Sequence, residues 1–355
     1  MKYKILFSVC MLFLFISCIR QIELDIKTED PILVVEGLIT DQIGSQQIKL
    51  NYTLPYLADQ EENPQIPVGL SGALVSVQDD LGNTVFFTEQ SSGVYENNDF
   101  NGEVGRTYTL FIETPEGKQY QSLSETMQPV PGLDSIRHEV IDTTVLINDR
   151  LDAVKNLKIY AYCQDPANEK NFYKWKWVGE TTMLLLSQNT PPGSAIPFAC
   201  YYSLNPPPLD PFEDELIIFS DQTTNGKYLS PQILLFGADN FDFRFYYGFS
   251  MLVGQYSLTP EAFQYWEKIK KLLNNQGNIF DPAPFRVKGN IQNINDPNET
   301  ILGYFGASAV QYKRYTFKAA SSYNNPCLFV SRDFCDDCRR FGGAYSLTSP
   351  EYWNP

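Results

Sequence analysis

Histidine is nearly missing from this sequence, since His138 is the only one among 355 residues. A Ser-His-Asp or Cys-His catalytic site would have to use His138, and a metal site built from several histidines is excluded. The sequence also contains no Gly-x-Ser-x-Gly, phosphate-binding or dinucleotide-binding motif. We therefore interpret His138 as a strand or surface residue, and we predict no catalytic residue.

Positive charge is also scarce. Lys and Arg number 27 against 42 Asp and Glu, which gives a net charge of −15 at pH 7. An acidic surface repels phosphate backbones, so no nucleic-acid partner is expected. Charged residues make up only 19% of the chain, whereas aromatic residues reach 14%, and there are 22 Gly and 23 Pro. This composition favours β-structure with many turns.

Long apolar runs are missing except at the start. Two lysines precede the apolar run 5–16, which is too short to span a bilayer. The run is followed by a small residue and Cys18, an arrangement that resembles the lipobox of bacterial lipoproteins, whose cysteine receives acyl chains such as palmitate. We predict a lipoprotein signal peptide at 1–17, lipid attachment at Cys18 and a tether at 18–30. An ordinary secretory signal peptide is the alternative.

Cysteines are few but informative. After the leader the chain contains Cys163, Cys200, Cys327, Cys335 and Cys338, an odd number that leaves one thiol unpaired. In the oxidising compartment that the leader implies, we predict disulfides among Cys200, Cys327, Cys335 and Cys338, with the connectivity left open. Cys163 is the predicted free thiol. A zinc site or a redox pair at Cys335 and Cys338 is less favoured, because further ligands and a βαβ context are missing. No metal site is predicted.

The region 31–128 alternates apolar and polar residues with a period of two. It contains about seven short strands, a number typical of an immunoglobulin-like β-sandwich. Two hairpins are predicted around the turn sequences at 79–83 and 115–117. Tyr108 enters a strand in the manner of a tyrosine corner.

The longer region 133–355 is also rich in strand patterns but is less regular. One helix is predicted near 259–274, because Thr259 is a good N-cap and Pro260 suits the first helical position. Its apolar stripe, which we expect to pack on a sheet, comprises Phe263, Trp266, Ile269 and Leu273. The predicted fold class is mainly β, with an N-terminal immunoglobulin-like β-sandwich followed by a larger β-rich domain with one prominent helix.

Two strands carry aromatic faces, at 171–177 and 241–249. The pattern leaves open whether these faces are core or a binding surface, since aromatic side chains serve both roles. Loops on a rigid scaffold also carry binding residues. The candidate ligand contacts are Trp175 and Trp177 on the first face and the loop residues Tyr201 and Tyr202.

Several segments resemble one family. They are Cys18 after the leader, LVVEGLITD at 33–41, SGA at 71–73, GNI at 289–291, LGYF at 302–305 and CDDC at 335–338. Together they are similar to a Bacteroidota outer-membrane lipoprotein family known as domain of unknown function 4249. Members are usually encoded beside TonB-dependent receptors, which implies an accessory role in uptake at the surface. The resemblance supplies no catalytic residue and supports Cys18 alone as a functional position.

The sequence and the resemblance predict a lipid-anchored outer-membrane accessory protein. Its expected partner is a TonB-dependent receptor barrel, which it would assist in the binding or uptake of a nutrient. We expect the cell-surface side of the membrane, with the periplasmic side as the alternative. No enzyme activity and no cofactor are predicted. A structural or adhesion component of a surface complex is the alternative function, and a carbohydrate-active enzyme is a third hypothesis without a supporting motif.

Overall fold

Nearly all regular structure in the described chain is β-strand, which confirms the predicted fold class. The computed structural model describes residues 30–54, 67–147, 150–167, 169–186, 199–204, 216–237, 248–274, 286–317 and 345–353. The predicted signal peptide and Cys18 lie outside these residues. The elements described below belong to one unit, made of Ile32–Thr53 and Pro67–Pro355.

Nine strands occur in the part of the chain between residues 32 and 128 that the structure describes. They are β1 Leu33–Thr40, β2 Gln46–Tyr52, β3 Val68–Gly69, β4 Leu74–Asp79, β5 Thr84–Ser91, β6 Val94–Asn97, β7 Thr107–Glu113, β8 Gln119–Ser122 and β9 Glu125–Thr126. Both predicted hairpins are confirmed, since β4 pairs with β5 and β7 with β8. Their turns contain Gly82 and Gly117, whose φ angles of 86° and 82° are accessible to glycine without strain.

Side-chain hydrogen bonds stabilise the first hairpin turn and the entry to β7. The Asp79 carboxylate accepts the backbone N–H groups of Leu81 and Asn83, each at 2.9 Å. Asp and Asn make turns of this kind through such local bonds. Tyr108 is buried, and its hydroxyl accepts the backbone N–H of Glu103 at 2.7 Å. This is the hydrogen bond that a tyrosine corner makes to the backbone upstream.

The remaining described residues add twelve strands and one α-helix. They are β10 Ser135–Ile147, β11 Arg150–Gln164, β12 Phe172–Leu186, β13 Ala199–Leu204, β14 Ile217–Ser220, β15 Tyr228–Leu229, β16 Gln232–Gly237, β17 Phe249–Leu258, helix α1 Pro260–Leu273, β18 Ile291–Asn293, β19 Leu302–Ser308, β20 Val310–Phe317 and β21 Tyr345–Ser346, and a 3-10 turn at Glu351–Trp353 follows. The predicted aromatic face at 241–249 lies mostly outside the described residues, which resume at 248.

Two strands from late in the chain complete the sheet of the N-terminal strands. Strand β19 pairs in parallel with β1, and β18 pairs antiparallel with β8. The order is β18-β8-β7-β4-β5-β6-β2-β1-β19, with β3 on β2 and β9 on β7. Val35, Ile48, Leu110 and Phe305 are buried in the same core. Residues from both predicted regions, 31–128 and 133–355, therefore build this core, and the immunoglobulin-like topology stays a prediction.

Two further sheets enclose a second core. One has the order β10-β11-β15 with β16 on β11, and the other has the order β20-β17-β12-β13-β21 with β14 on β12. Ile159, Trp175, Met251 and Phe317 are buried together between them. Along a strand the buried residues alternate, as Leu157, Ile159 and Ala161 do in β11, because every second residue of a strand faces the same side.

Helix α1 begins at the predicted N-cap, since the Thr259 side chain accepts the Ala262 N–H at 3.1 Å. The predicted apolar stripe packs only in part. Ala262 is buried and Phe263 and Trp266 are half-buried, but Leu273 is 52% exposed. The expectation for Leu273 is wrong because the helix rests on its neighbours mainly through its first turns. No helix among the described residues has the length and hydropathy needed to cross a bilayer.

Candidate ligand-binding cleft

A cleft of about 660 Å³ opens between helix α1 and the edge of the N-terminal sheet. Strands β1, β2, β12, β17, β19 and the start of β20 form the rest of its lining. A concave site of this volume lies within the range of about 300–1,000 Å³ that small ligands occupy. Four charged side chains line it: Glu36, Lys49, Lys174 and Lys176.

The alternation of β12 directs two of these lysines into the cleft. Tyr173 and Trp175 point into the second core and are buried. Lys174 and Lys176 therefore face the opposite side of the strand. Lys49 lines the same cleft from β2, where its backbone pairs with Glu36 of β1. Three ammonium groups thus converge in a chain whose net charge is −15.

The two lysines of β12 lie over aromatic rings. The Nζ atom of Lys174 is 3.5 Å from the ring centroid of Trp266, and that of Lys176 is 5.0 Å from the centroid of Tyr256. Such cation–π contacts contribute roughly 0.5–2 kcal/mol each. They position the ammonium groups without neutralising them. Within the described chain, none of the three cleft lysines has a carboxylate oxygen within 4.0 Å.

Burial and the repulsion of neighbouring charges make Lys174 and Lys176 hard to protonate. The pKa of Lys174 is lowered to about 7, first by burial and second by the charge of Lys176, while Glu36 opposes the change. Burial and then the charge of Lys49 lower the pKa of Lys176 as well. Lys176 is more exposed than Lys174, so solvent screens its charge more strongly. A bound anion favours the protonated form, so anion binding and proton uptake by Lys174 are coupled.

Aromatic side chains of α1 and β19 form the adjoining wall of the cleft. The rings of Tyr265 and Tyr304 lie 4.7 Å apart, and Tyr265 meets Trp266 edge-on at 5.2 Å. Burial raises the pKa of Tyr265 to about 12, so its hydroxyl is neutral at physiological pH. Ring surfaces beside ammonium groups suit a ligand that has both apolar and anionic parts.

A buried carboxylate holds this wall in place. Glu125 of β9 is 3% exposed and accepts hydrogen bonds from the hydroxyls of Thr259, at 2.8 Å, and Tyr304. The Asn290 side-chain amide donates a further bond at 3.4 Å. Burial raises the pKa of Glu125, and these hydrogen bonds oppose the rise. The network ties β9, the N-cap of α1 and β19 together, which fixes the helix beside the cleft.

The predicted ligand contacts do not coincide with this cleft. Trp175 is 2% exposed and lies in the core, on the side of β12 that faces away from the lysines. Tyr201 is half-buried and packs edge-on against Trp353 with 5.4 Å between the ring centroids. Trp177 and Tyr202 belong to β12 and β13, but their side chains lie outside what the structure describes.

The cysteines are placed only in part. Cys163 is a free, buried thiol, as predicted, and burial raises its pKa to about 11. A thiol that stays protonated at neutral pH is a poor nucleophile. Cys200 is buried in β13. The lipid attachment residue and the other disulfide candidates lie outside the described residues, namely Cys18, Cys327, Cys335 and Cys338, so these assignments stay predictions.

His138 belongs to β10, and part of its side chain is exposed to solvent. Its Nδ1 atom and the Tyr315 hydroxyl form a hydrogen bond of 2.5 Å, and its ring lies edge-on to Phe317 at 5.0 Å. Burial lowers its pKa, which favours a neutral imidazole. These contacts agree with the interpretation of His138 as a strand residue. Among the described residues, no three His, Cys, Asp or Glu side chains converge in a way that could hold a metal ion.

The lysine cluster was missed by the sequence prediction. The pattern marks Lys174 and Lys176 as one face of a strand and Trp266 as part of a helical stripe, without linking them. Two lysines at alternate positions opposite an aromatic core face, in an acidic chain, were the available signal. Lys49 could not be assigned to this cluster, because no local pattern in the sequence shows that β2 and β12 line the same cleft.

Comparison with known proteins identifies a family but no activity. No curated protein matches the chain. The model of one family, described as "Domain of unknown function (DUF4249)", matches residues 19–314. This match includes every residue that lines the cleft. The chain therefore belongs to the DUF4249 family.

Proposed function

We propose that this protein is a lipid-anchored outer-membrane protein that binds a nutrient in the cleft and assists a TonB-dependent receptor in its uptake. The cleft is the observation that carries the binding role. Its charged groups lie on strands β1, β2 and β12, and the Glu125 network holds its helical wall. A preformed site loses less freedom on binding than a flexible one, which favours affinity.

The anchor is supported by the leader sequence. A lipidated Cys18 would carry more than one acyl chain, and two membrane-binding signals suffice for stable anchoring. Anchoring confines the protein to the surface on which a receptor barrel sits. This raises the effective concentration of each for the other, so a weak contact between them becomes sufficient. The tether 18–30 would allow the folded part of the chain to extend from the membrane and contact the barrel.

The role we propose is binding and not catalysis. Among the described residues that line the cleft, Glu36 is the one carboxylate. Glycoside hydrolysis by paired acids requires a second carboxyl group across the scissile bond. The free thiol Cys163 and His138 both lie away from the cleft lining. Disulfides among Cys200, Cys327, Cys335 and Cys338 belong to the same proposal, as stabilisers suited to an oxidising compartment.

Affinity purification from native membranes tests the proposal. The full chain carries a C-terminal tag, and Cys18→Ser is compared with Cys10→Ser, a matched change within the leader. We expect wild type and Cys10→Ser to fractionate with membranes and to co-purify a receptor barrel in near-stoichiometric amount. Cys18→Ser should leave the membrane fraction and lose most of the barrel. Wild-type protein that purifies without any barrel would refute the receptor partnership, and membrane-bound Cys18→Ser would refute the anchor.

A further inference from the structure

We infer that the cleft selects a small organic anion that carries two or more acidic groups beside a flat ring face. This inference rests on the proposed nutrient-binding function and names the chemistry of the nutrient. Acidic sugars and aromatic polyacids both have this chemistry, so the test below separates them.

The charge of the cleft is the first argument. Lys49, Lys174 and Lys176 converge there without a carboxylate partner within 4.0 Å in the described structure. Like charges brought close together repel one another, most strongly at the partly buried Lys174, unless an opposite charge joins them. Glu36 is the one acidic group among the described lining residues, so the lining carries a formal excess of positive charge. More than one acidic group on the ligand would be needed to balance it.

The aromatic wall is the second argument. Tyr256, Tyr265, Trp266 and Tyr304 place ring surfaces along the same cleft as the ammonium groups. A simple inorganic anion would use the lysines alone and would make no use of these ring surfaces. A ring that carries carboxylate or sulfate groups would use both, because its edge meets the ammonium groups while its face packs on an aromatic side chain.

The size of the cleft and the charge of the whole chain limit the ligand further. A cavity of about 660 Å³ holds a small molecule and not a protein surface. The net charge of −15 disfavours a long polyanion, whose distal charges would extend over an acidic surface. A short ligand avoids this repulsion while its charged end sits among the lysines. Ser45 also lines the cleft, and its hydroxyl can meet a polar substituent, whereas the side chains of Thr40 and Gln47 already hydrogen-bond to Gln46 and Glu96.

Isothermal titration calorimetry on the detergent-solubilised full chain tests this inference. The probes are trigalacturonate, benzene-1,3,5-tricarboxylate, neutral maltotriose and inorganic sulfate, at one fixed salt concentration. We expect at least one of the two organic acids to bind at least tenfold more tightly than both maltotriose and sulfate. The organic acid that binds more tightly shows whether the ligand is an acidic sugar or an aromatic polyacid. Equal binding of maltotriose, equal binding of sulfate, or no binding of either organic acid would overturn the inference.

Charge-matched variants locate the binding. The double variant Lys174→Gln/Lys176→Gln should weaken binding of the organic acid at least tenfold. The control double variant Lys170→Gln/Lys227→Gln removes the same charge from two exposed positions and should stay within twofold of wild type. Lys49→Gln, at an exposed position where folding is not at risk, should weaken binding severalfold. A cleft variant that binds as tightly as wild type would overturn the assignment.

The failure of this inference can be distinguished from that of the proposed function. If neither acid binds but the barrel still co-purifies, the ligand chemistry is wrong and the accessory role stands. If an acid binds in the cleft but no barrel co-purifies, the ligand chemistry stands and the receptor role falls.

Discussion

Replacing Lys174 by methionine should stabilise the protein while weakening its ability to bind an anion. Methionine has a similar length, packs well in irregular apolar surroundings and carries no charge. In the native cleft the Lys174 side chain lies within a sheet-lined wall beside Lys176 and Trp266, and its pKa is lowered to about 7. Folding therefore works against the protonation that the unfolded chain prefers at neutral pH.

The magnitude follows from that lowering of the pKa. Each tenfold change in proton affinity corresponds to about 1.4 kcal/mol, so the full effect on stability at pH 7 has an upper limit of about 4 kcal/mol. Lys174 keeps some contact with solvent, which screens its charge, and Met loses the cation–π contact with Trp266. We expect a net gain of about 1–2 kcal/mol for Lys174→Met at pH 7, equivalent to a rise of a few degrees in Tm.

The pH dependence of this gain in stability shows whether the lowered pKa of Lys174 causes it. Between about pH 7 and pH 10 the unfolded chain binds a proton at Lys174 that the folded protein does not, so this group makes wild type more stable as pH rises. The advantage of Lys174→Met should therefore be largest near pH 7 and should disappear toward pH 10. Urea denaturation of wild type and Lys174→Met at several pH values, in a buffer without phosphate or sulfate, measures the gain and its pH dependence. A variant that is less stable than wild type, or an advantage that does not change with pH, would refute the reasoning.

Three further substitutions test the fold that positions the cleft, each by urea denaturation. Gly303→Ala should cost about 3 kcal/mol or more, because φ is +91° and a Cβ would lie 2.0 Å from the Val35 carbonyl oxygen. Its control, Gly117→Ala, lies in an open turn at φ +82° and should cost only about 1 kcal/mol. Equal costs for the two substitutions would contradict this prediction. Tyr108→Phe should lose about 1–2 kcal/mol with its hydrogen bond, and no loss would exclude the tyrosine corner as a stabiliser. Thr259→Ala should lose about 1–2 kcal/mol with the helix cap, and an unchanged stability would show that the cap is dispensable.

Local features of the fold could be predicted from the sequence, and features assembled from distant segments could not. The helix N-cap at Thr259 and the two hairpins were predictable, because caps and tight turns depend on a few adjacent residues. The burial of Leu273 was predicted wrongly, since the stripe shows which helix face is apolar but not how far the underlying sheet extends. Parallel pairing between β1 and β19 joins residues far apart in the chain, and no local pattern specifies it.

The candidate site, too, could be predicted only in its local features. The alternation that exposes Lys174 and Lys176 is visible in the sequence, and so is the helical stripe that includes Trp266. Their meeting depends on how α1, β12 and the N-terminal sheet pack, which is a tertiary property. The sequence analysis therefore favoured the aromatic residues themselves as ligand contacts. Burial of Trp175 in the core shows that, on this strand, the polar face is the accessible one.

A direct titration of the Lys174 side chain tests the central claim that the cleft holds ammonium groups without an anionic partner. The lysines of the full chain are reductively methylated with ¹³C, and the Lys174 signal is assigned by its loss in Lys174→Gln. Its chemical shift is then followed against pH. The account predicts a pKa near 7 without ligand, rising toward 10 when the organic acid that binds is present. A pKa near 10 in the ligand-free protein, or one that the acid does not change, would contradict it.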